Sequence, residues 1–203
     1  MKKEINNKYI IVMMYIIPIF ILGMILLSFW PGIYTSDGLG QWHQAATNNI
    51  SNAHPFFSTF FLLVLSKIWN HRTVQLIFQI LLFSIIWGSI CKEMIKEKKN
   101  IKSIVIYTIF LCIFPVISIY SITQWKDVIY SYYLFSVVFL MYIGSKNNYK
   151  YNIIQYILFG ILFFLIFSYR HNGMIASVLL MIILIVLTIK NKNNLKKIRK
   201  DTL

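Results

Sequence analysis

The sequence predicts an all-α protein, a polytopic transmembrane helix bundle of about six to seven membrane segments with a short amphipathic helix in its first outer loop. Three observations carry that prediction. First, 58% of the 203 residues are hydrophobic and only 13% are charged, about half the charged share of a soluble domain. Second, apolar runs near the roughly 18–20 residues needed to cross a bilayer recur along the chain. They fall at about 9–30, 55–69, 73–91, 103–122, 127–144, 153–169 and 174–189. Third, the 20 lysines and arginines gather in short clusters between those runs, as cytoplasmic loops facing anionic lipid have them. The formal net charge of +14 is therefore not a nucleic-acid footprint, and no nucleic-acid partner is expected.

The first apolar run ends in Ser28-Phe29-Trp30-Pro31 without a small-x-small cleavage pattern. It reads as a retained anchor rather than a cleaved signal peptide. Trp30 suits the headgroup belt. The stretch SDGLGQWHQAATNNISNAHP, from Ser36 to Pro55, follows. It holds one acid, Asp37, two of the four histidines, His43 and His54, and no Lys or Arg. Ser36 or Asp37 is expected to cap a helix of about ten residues. Leu39, Trp42 and Ala46 would share the face that lies on the lipid surface, with Gln41 and Gln44 looking elsewhere. Pro55 is expected in the first turn of the next helix, where its missing N–H costs nothing.

Basic stretches at 1–8, 92–102, 146–150 and 190–200 belong in the cytoplasm by the positive-inside rule. That makes a multi-pass protein of the cell membrane with both termini cytoplasmic. It leaves three outer connections, 31–54, 123–127 and 169–173. One place breaks the alternation: the run at 55–69, about 15 residues, is marginal for a span. It is re-entrant, interfacial, continuous with the next run as one tilted helix, or a true crossing that puts Lys92–Lys102 outside. Six full crossings are the preferred count. His71 and Arg72, between the two runs, are expected on the inner side or buried between segments, with no role assigned. No repeat and no Gly/Ser- or Pro-rich linker divides the chain, so residues 1–203 read as one transmembrane domain. Cys91 and Cys112 are expected to be small apolar residues, neither a disulfide nor a metal pair. The abundance of Ile, Asn, Lys and Tyr fits an AT-rich bacterial genome.

Four of the six acids, Glu4, Glu93, Glu97 and Asp201, lie in lysine-rich cytoplasmic stretches and read as solvated charge. The other two, Asp37 and Asp127, each open a loop-to-helix junction on the expected outer face, where a charge is costly enough to mark a site. Pro115 should kink the helix before Gln124-Trp125-Lys126-Asp127. Asp127 would sit at the positive end of the following helix. A local Lys126–Asp127 pair with a capping role stands beside a second reading, in which Lys126 faces an anionic ligand. In the third loop Arg170-His171-Asn172-Gly173 collects donors. Arg170 either snorkels to a headgroup or is held for a substrate phosphate. No Walker loop, HExxH or GxSxG occurs. Asp37, His43 and His54 make only a weak metal set. No cofactor is expected, and a divalent metal stays open.

The order of these pieces resembles the amino-terminal module of the GT-C membrane glycosyltransferases, which include the protein O-mannosyltransferases. The matching residues are Pro31-Gly32 through Asp37, Gln41, His54-Pro55 with Thr59, Lys126-Asp127, and Arg170-x-Asn172-Gly173. The set looks closest to an uncharacterised bacterial family of GT-C-like polytopic proteins. The resemblance spans most of residues 28–175. It implies transfer of a sugar from a polyprenyl-phosphate donor to an acceptor at the outer membrane face. Asp37 and Asp127 would be the catalytic acids, with Asp37 the base candidate. His54, Lys126, Arg170, Asn172 and Gln41 would bind substrate or its phosphate. The sequence departs from the family in placing Gly38, not a second acid, after Asp37, and in its short length. Two other functions stand beside this one. One is a non-enzymatic binder, flippase-like transporter or accessory membrane subunit for a lipid-linked substrate. The other is a structural partner that folds only with another subunit.

Overall fold

A computed structural model of the chain describes residues 2–51 and 53–201, with side chains over 8–51 and 53–190. It is all-α apart from one two-stranded ribbon. The elements run α1 (Lys2–Ser28), β1 (Ile33–Tyr34), α2 (Ser36–Thr47), α3 (Phe56–Ile68), α4 (Val74–Lys96), α5 (Ile101–Ile113), α6 (Pro115–Ser121), β2 (Thr123–Gln124), α7 (Lys126–Lys146), α8 (Ile153–Tyr169) and α9 (Gly173–Asp201). They form two compact units that divide between Tyr132 and Tyr133.

Among the described residues, four helical stretches are long and apolar enough to cross a membrane: Lys8–Ser28, Val74–Lys96, Lys126–Lys146 and Gly173–Lys190. The bent pair α5–α6 raises that to five. The expected six or seven segments are thus reduced. The run at 55–69 folds as the 13-residue α3, about 20 Å long at a 1.5 Å rise, well short of a roughly 30 Å hydrocarbon core. The 17 residues of α8 also fall below the span length. Pro115 does break its helix, and α5 and α6 meet at 61°. It occupies the first turn of α6, where a missing N–H is tolerated.

In the first unit α1, α4 and α5 lie against one another. Leu22, Leu26, Leu76, Ile80, Phe83, Cys112 and Ile122 form one buried cluster. Met14, Cys91, Ile95 and Ile104 form another toward the α4–α5 connection. The two cysteines are free and buried, as expected of small apolar residues. Gly88 lets the Tyr15 ring lie flat against α4, and Ser84 Oγ donates to the Tyr15 carbonyl beside it.

The end of this unit where α1 stops holds the polar residues. Gly32 adopts φ 115°, a conformation that favours glycine. A Cβ there would also strike the Leu76 side chain. The tight passage lets β1 pair in parallel with β2, in the register Ile33↔Thr123 and Tyr34↔Gln124. The first and second loops are therefore hydrogen-bonded to each other.

α2 differs in detail from its expected form. Thr35, not Ser36 or Asp37, is the N-cap, its Oγ1 accepting from the Gly38 N–H at 3.0 Å. Asp37 lies in the first turn instead. The buried face is Gly38, Gln41, Trp42 and Ala45, whereas Leu39 is 40% exposed. Trp42 and Ala45 pack on Leu62, Leu65 and Val74. The helix α3, rather than a lipid surface, takes that face.

Both ends of α3 stay at this one end of the unit. Near its start, Gln41 Nε2 donates to Ser58 Oγ at 2.9 Å. Beyond its finish, the Trp69 ring lies 6.4 Å from Trp30, and Thr73 Oγ1 donates to the Pro31 carbonyl at 2.8 Å. His71 stacks on both tryptophans. Of the two placements expected for His71, the inner side or burial between segments, the structure shows it half-buried between these rings, while Arg72 is exposed and the 69–73 turn docks on the first loop.

In the second unit α8 and α9 form a helical hairpin. Ser177 Oγ donates to the Phe163 carbonyl at 3.0 Å. Gly173 comes so close to the Ile166 carbonyl that a Cβ would collide with it. Asn152 and Gln155 build a reciprocal cap at the start of α8.

Candidate functional site

The site is built from three segments that are distant in sequence. The β1–β2 pairing sets the start of α2 against the start of α7. Thr35 reinforces it: besides capping α2, its hydroxyl donates to the Gln124 carbonyl at 3.2 Å. Gly38 completes the approach, because a Cβ at this position would collide with that same carbonyl oxygen. Glycine after Asp37 is thus a packing requirement of the junction.

The result is a cluster of Asp37, Lys126 and His54. Lys126 Nζ lies 3.1 Å from Asp37 Oδ2 and 3.3 Å from His54 Nδ1. An ammonium only donates, so His54 Nδ1 accepts and the imidazole proton sits on Nε2. That Nε2 faces Gly40, where an added Cβ would lie 3.7 Å away. The two charged groups differ in exposure: the Lys126 side chain is 13% exposed and that of Asp37 53%. The hydrogen bond from Lys126, then its charge, holds the Asp37 carboxyl below its usual range, with a smaller contribution from His54. Asp37 is therefore an ionised, solvent-reaching carboxylate at neutral pH. Lys126 has three donors, and its partners among the described residues occupy two. The third is available to an incoming oxyanion.

Beneath the cluster runs a chain of buried glutamines. Gln79 Nε2 donates to the carbonyls of Thr123 at 3.0 Å and Ser121 at 3.3 Å. Gln75 Nε2 donates to Gln79 Oε1 at 3.0 Å, and Gln124 Nε2 to Gln75 Oε1 at 3.3 Å. The chain ties α4 to β2 two residues before Lys126. Buried amides in a membrane helix are held only where they are paired. Here the pairing fixes the backbone that presents the lysine.

Asp37, His54 and Lys126 come together. Lys126 pairs across the loops with Asp37. Asp127 lines a different feature, a cavity of about 260 Å³ whose walls include Tyr120, Trp125, Ser131 and Tyr132. Gln41 is buried, its amide bonded to Ser58 and Thr59. It joins α2 to α3. Arg170 and Asn172 occupy the exposed turn between α8 and α9, in the second unit. Among the described residues no three His, Cys, Asp or Glu side chains gather as a metal site.

Sequence reasoning assigned nothing to Arg72, which the structure puts at the same end, its guanidinium 5.9 Å from the centre of the Tyr34 ring. One signal was available: Arg72 and Lys67 are cations in a region otherwise depleted of them. No protein-family model, no curated protein and no solved structure matches this chain.

Proposed function

We propose that the chain is a membrane glycosyltransferase-like protein that transfers a sugar from a polyprenyl-phosphate donor to an acceptor hydroxyl at the outer face of the membrane. The observation that carries this reading is Lys126 Nζ held between Asp37 Oδ2 and His54 Nδ1 at the end of an apolar helical unit. A base for the acceptor and a cation for the leaving phosphate are the two groups that glycosyl transfer requires. Here they are adjacent.

The chemistry follows from the ion pair. The donor phosphate takes the spare N–H of Lys126 and competes with Asp37 for the ammonium. As Lys126 turns to the phosphate, the carboxylate loses the group that depresses its pKa and becomes a stronger base. The acceptor oxygen attacks the anomeric carbon while its proton passes to Asp37. The bond from that carbon to the phosphate oxygen breaks, and its electron pair leaves on the polyprenyl phosphate. Lys126, with His54 behind it, stabilises that charge.

Sidedness is part of the proposal. Five lysines between Lys92 and Lys102 crowd the α4–α5 connection, which the positive-inside rule assigns to the cytoplasm. The Asp37 cluster lies at the opposite end of α4 and so faces outward. With α3 lying along that face, the proposal takes the short α8 as a pass beside α1, α4, the α5–α6 pair, α7 and α9, which makes the number of passes even. Arg170 and Asn172 are proposed as further phosphate donors, and Asp127 as a second acid beside Asp37.

A second reading, a non-enzymatic binder of the same lipid-linked substrate, draws on the closed Asp37–Lys126 pair, which leaves no free base at rest. One assay separates the two. Membranes containing the protein are given a polyprenyl-phosphate sugar and Asp37→Asn is compared with the parent. The glycosyltransferase reading expects a fall of about 10²–10⁴-fold in transfer with donor binding retained. Donor retention without any product in the parent supports the binder. Unchanged transfer in the variant removes Asp37 from the mechanism.

A further inference from the structure

We propose that the hollow between the first loop and the 69–73 turn is a second anion site, which takes the phosphodiester headgroup of an anionic membrane lipid. The hollow has a volume of about 350 Å³ and is lined by Pro31, Trp42, Asn70, His71 and Arg72. None of these residues belongs to the Asp37–Lys126–His54 cluster, and the proposal does not depend on the glycosyltransferase reading.

The lining has the chemistry of an oxyanion site. Arg72 is exposed and carries a full charge with five donors. It lies over the Tyr34 ring face, which positions the guanidinium without neutralising it. His71 Nδ1 accepts the Thr73 N–H at 3.3 Å, which puts the imidazole proton on Nε2 and makes that atom a donor. Asn70 adds an amide. One cation with neutral donors matches a singly charged phosphodiester better than a dianionic phosphate monoester.

Depth selects a lipid as the source. His71 is stacked against Trp30 and Trp69, with ring centres 5.3 and 4.8 Å away. The two tryptophans are 50% and 41% exposed. Trp30 closes the first membrane-length helix, and its ring is of the kind that settles at headgroup level.

The test is native mass spectrometry of the full-length protein with dihexanoyl phosphatidylglycerol, dihexanoyl phosphatidylcholine and inorganic phosphate. Phosphatidylglycerol should be retained by the parent more strongly than either comparison. Arg72→Gln should weaken it about tenfold or more, and Arg72→Lys should restore part of the loss. Lys126→Gln should leave it unchanged, which separates this site from the proposed donor site. Should Arg72→Gln fail to fold, Asn70→Ala carries the same expectation of weakened retention. Equal retention by the parent and the variant that folds overturns the proposal, as does loss in Lys126→Gln alone. Inorganic phosphate bound as tightly as phosphatidylglycerol overturns the lipid assignment.

Discussion

Lys126 Nζ lies 3.1 Å from Asp37 Oδ2 although 89 positions separate the two residues. Two two-residue strands close that distance. Ile33 pairs with Thr123 and Tyr34 with Gln124, so Asp37 follows its strand by three residues and Lys126 by two. A helix start on each side then aims the charges at each other.

The pair has a pH signature. Lys126 lowers the Asp37 pKa, so the stabilisation is present above the unfolded value of about 3.9. It is lost as pH falls through the still lower folded value. With Asp37 half exposed, the pair contributes about 0.2–1 kcal/mol. The parent should melt about 1–4 °C above Asp37→Asn at pH 7, and the gap should shrink in high salt and close as pH falls below the depressed folded value. Thermal melts of both proteins in the same neutral detergent check this. A gap that does not narrow at any pH as the melts are taken down through the acid range assigns it to packing instead.

The glutamine chain should matter to the site at a distance. Gln79 is fully buried and donates to two carbonyls of the α6–β2 segment. Gln79→Leu keeps much of the volume but strands those carbonyls and the Gln75 amide, at a cost of about 1–3 kcal/mol. Because the segment leads directly to Lys126, the proposed donor phosphate should also bind less well. The expected kinetic pattern is a raised KM with a smaller change in kcat. Gln79→Glu, which retains one acceptor and loses the donors, should not rescue it.

Sidedness is read by labelling single cysteines with a membrane-impermeant maleimide, in a background where Cys91 and Cys112 are replaced by serine. Cysteines at 37, 126 and 170 should react from outside intact cells, and one at 97 only after permeabilisation. Positions 37 and 126 must behave alike, since their side chains touch. Reaction at 97 from outside would reverse the proposed orientation.

The helices and the common side of Asp37 and Lys126 were legible from the sequence, because apolar run length and lysine placement are local features. The Pro115 bend was legible for the same reason. Two things were not. The face of α2 was misread because Leu39, Trp42 and Ala46 fit a helical stripe as well as Gly38, Trp42 and Ala45 do. Only the docking of α3 decides between them. The role of Gln41 was equally hidden: a buried amide bonded to Ser58 and one poised for substrate look the same in sequence. The partner of Lys126 depended on a strand pair too short to leave any periodicity.

The disposition of α3 gives the sharpest physical test. Its buried side, Ser58, Thr59, Leu62, Leu65 and Ser66, packs toward the rest of the unit. Phe56, Phe60, Val64 and Ile68 are 62%, 42%, 41% and 76% exposed. They recur every four residues and so share the opposite side. An exposed apolar stripe of that kind is what an in-plane helix presents to the acyl boundary, and Lys67 within it can extend its charge to the headgroups. A crossing helix would place residues 56 and 68 about 18 Å apart in depth, whereas a helix lying along the surface keeps them level. Spin labels at 56, 64 and 68 in bilayers should therefore report similar shallow depths, about 5–10 Å below the headgroups. A steady gradient of depth from 56 to 68 would restore α3 as a span. It would then carry His71 and Arg72 away from Trp30 and Pro31, against the ring stacking and the Thr73–Pro31 hydrogen bond.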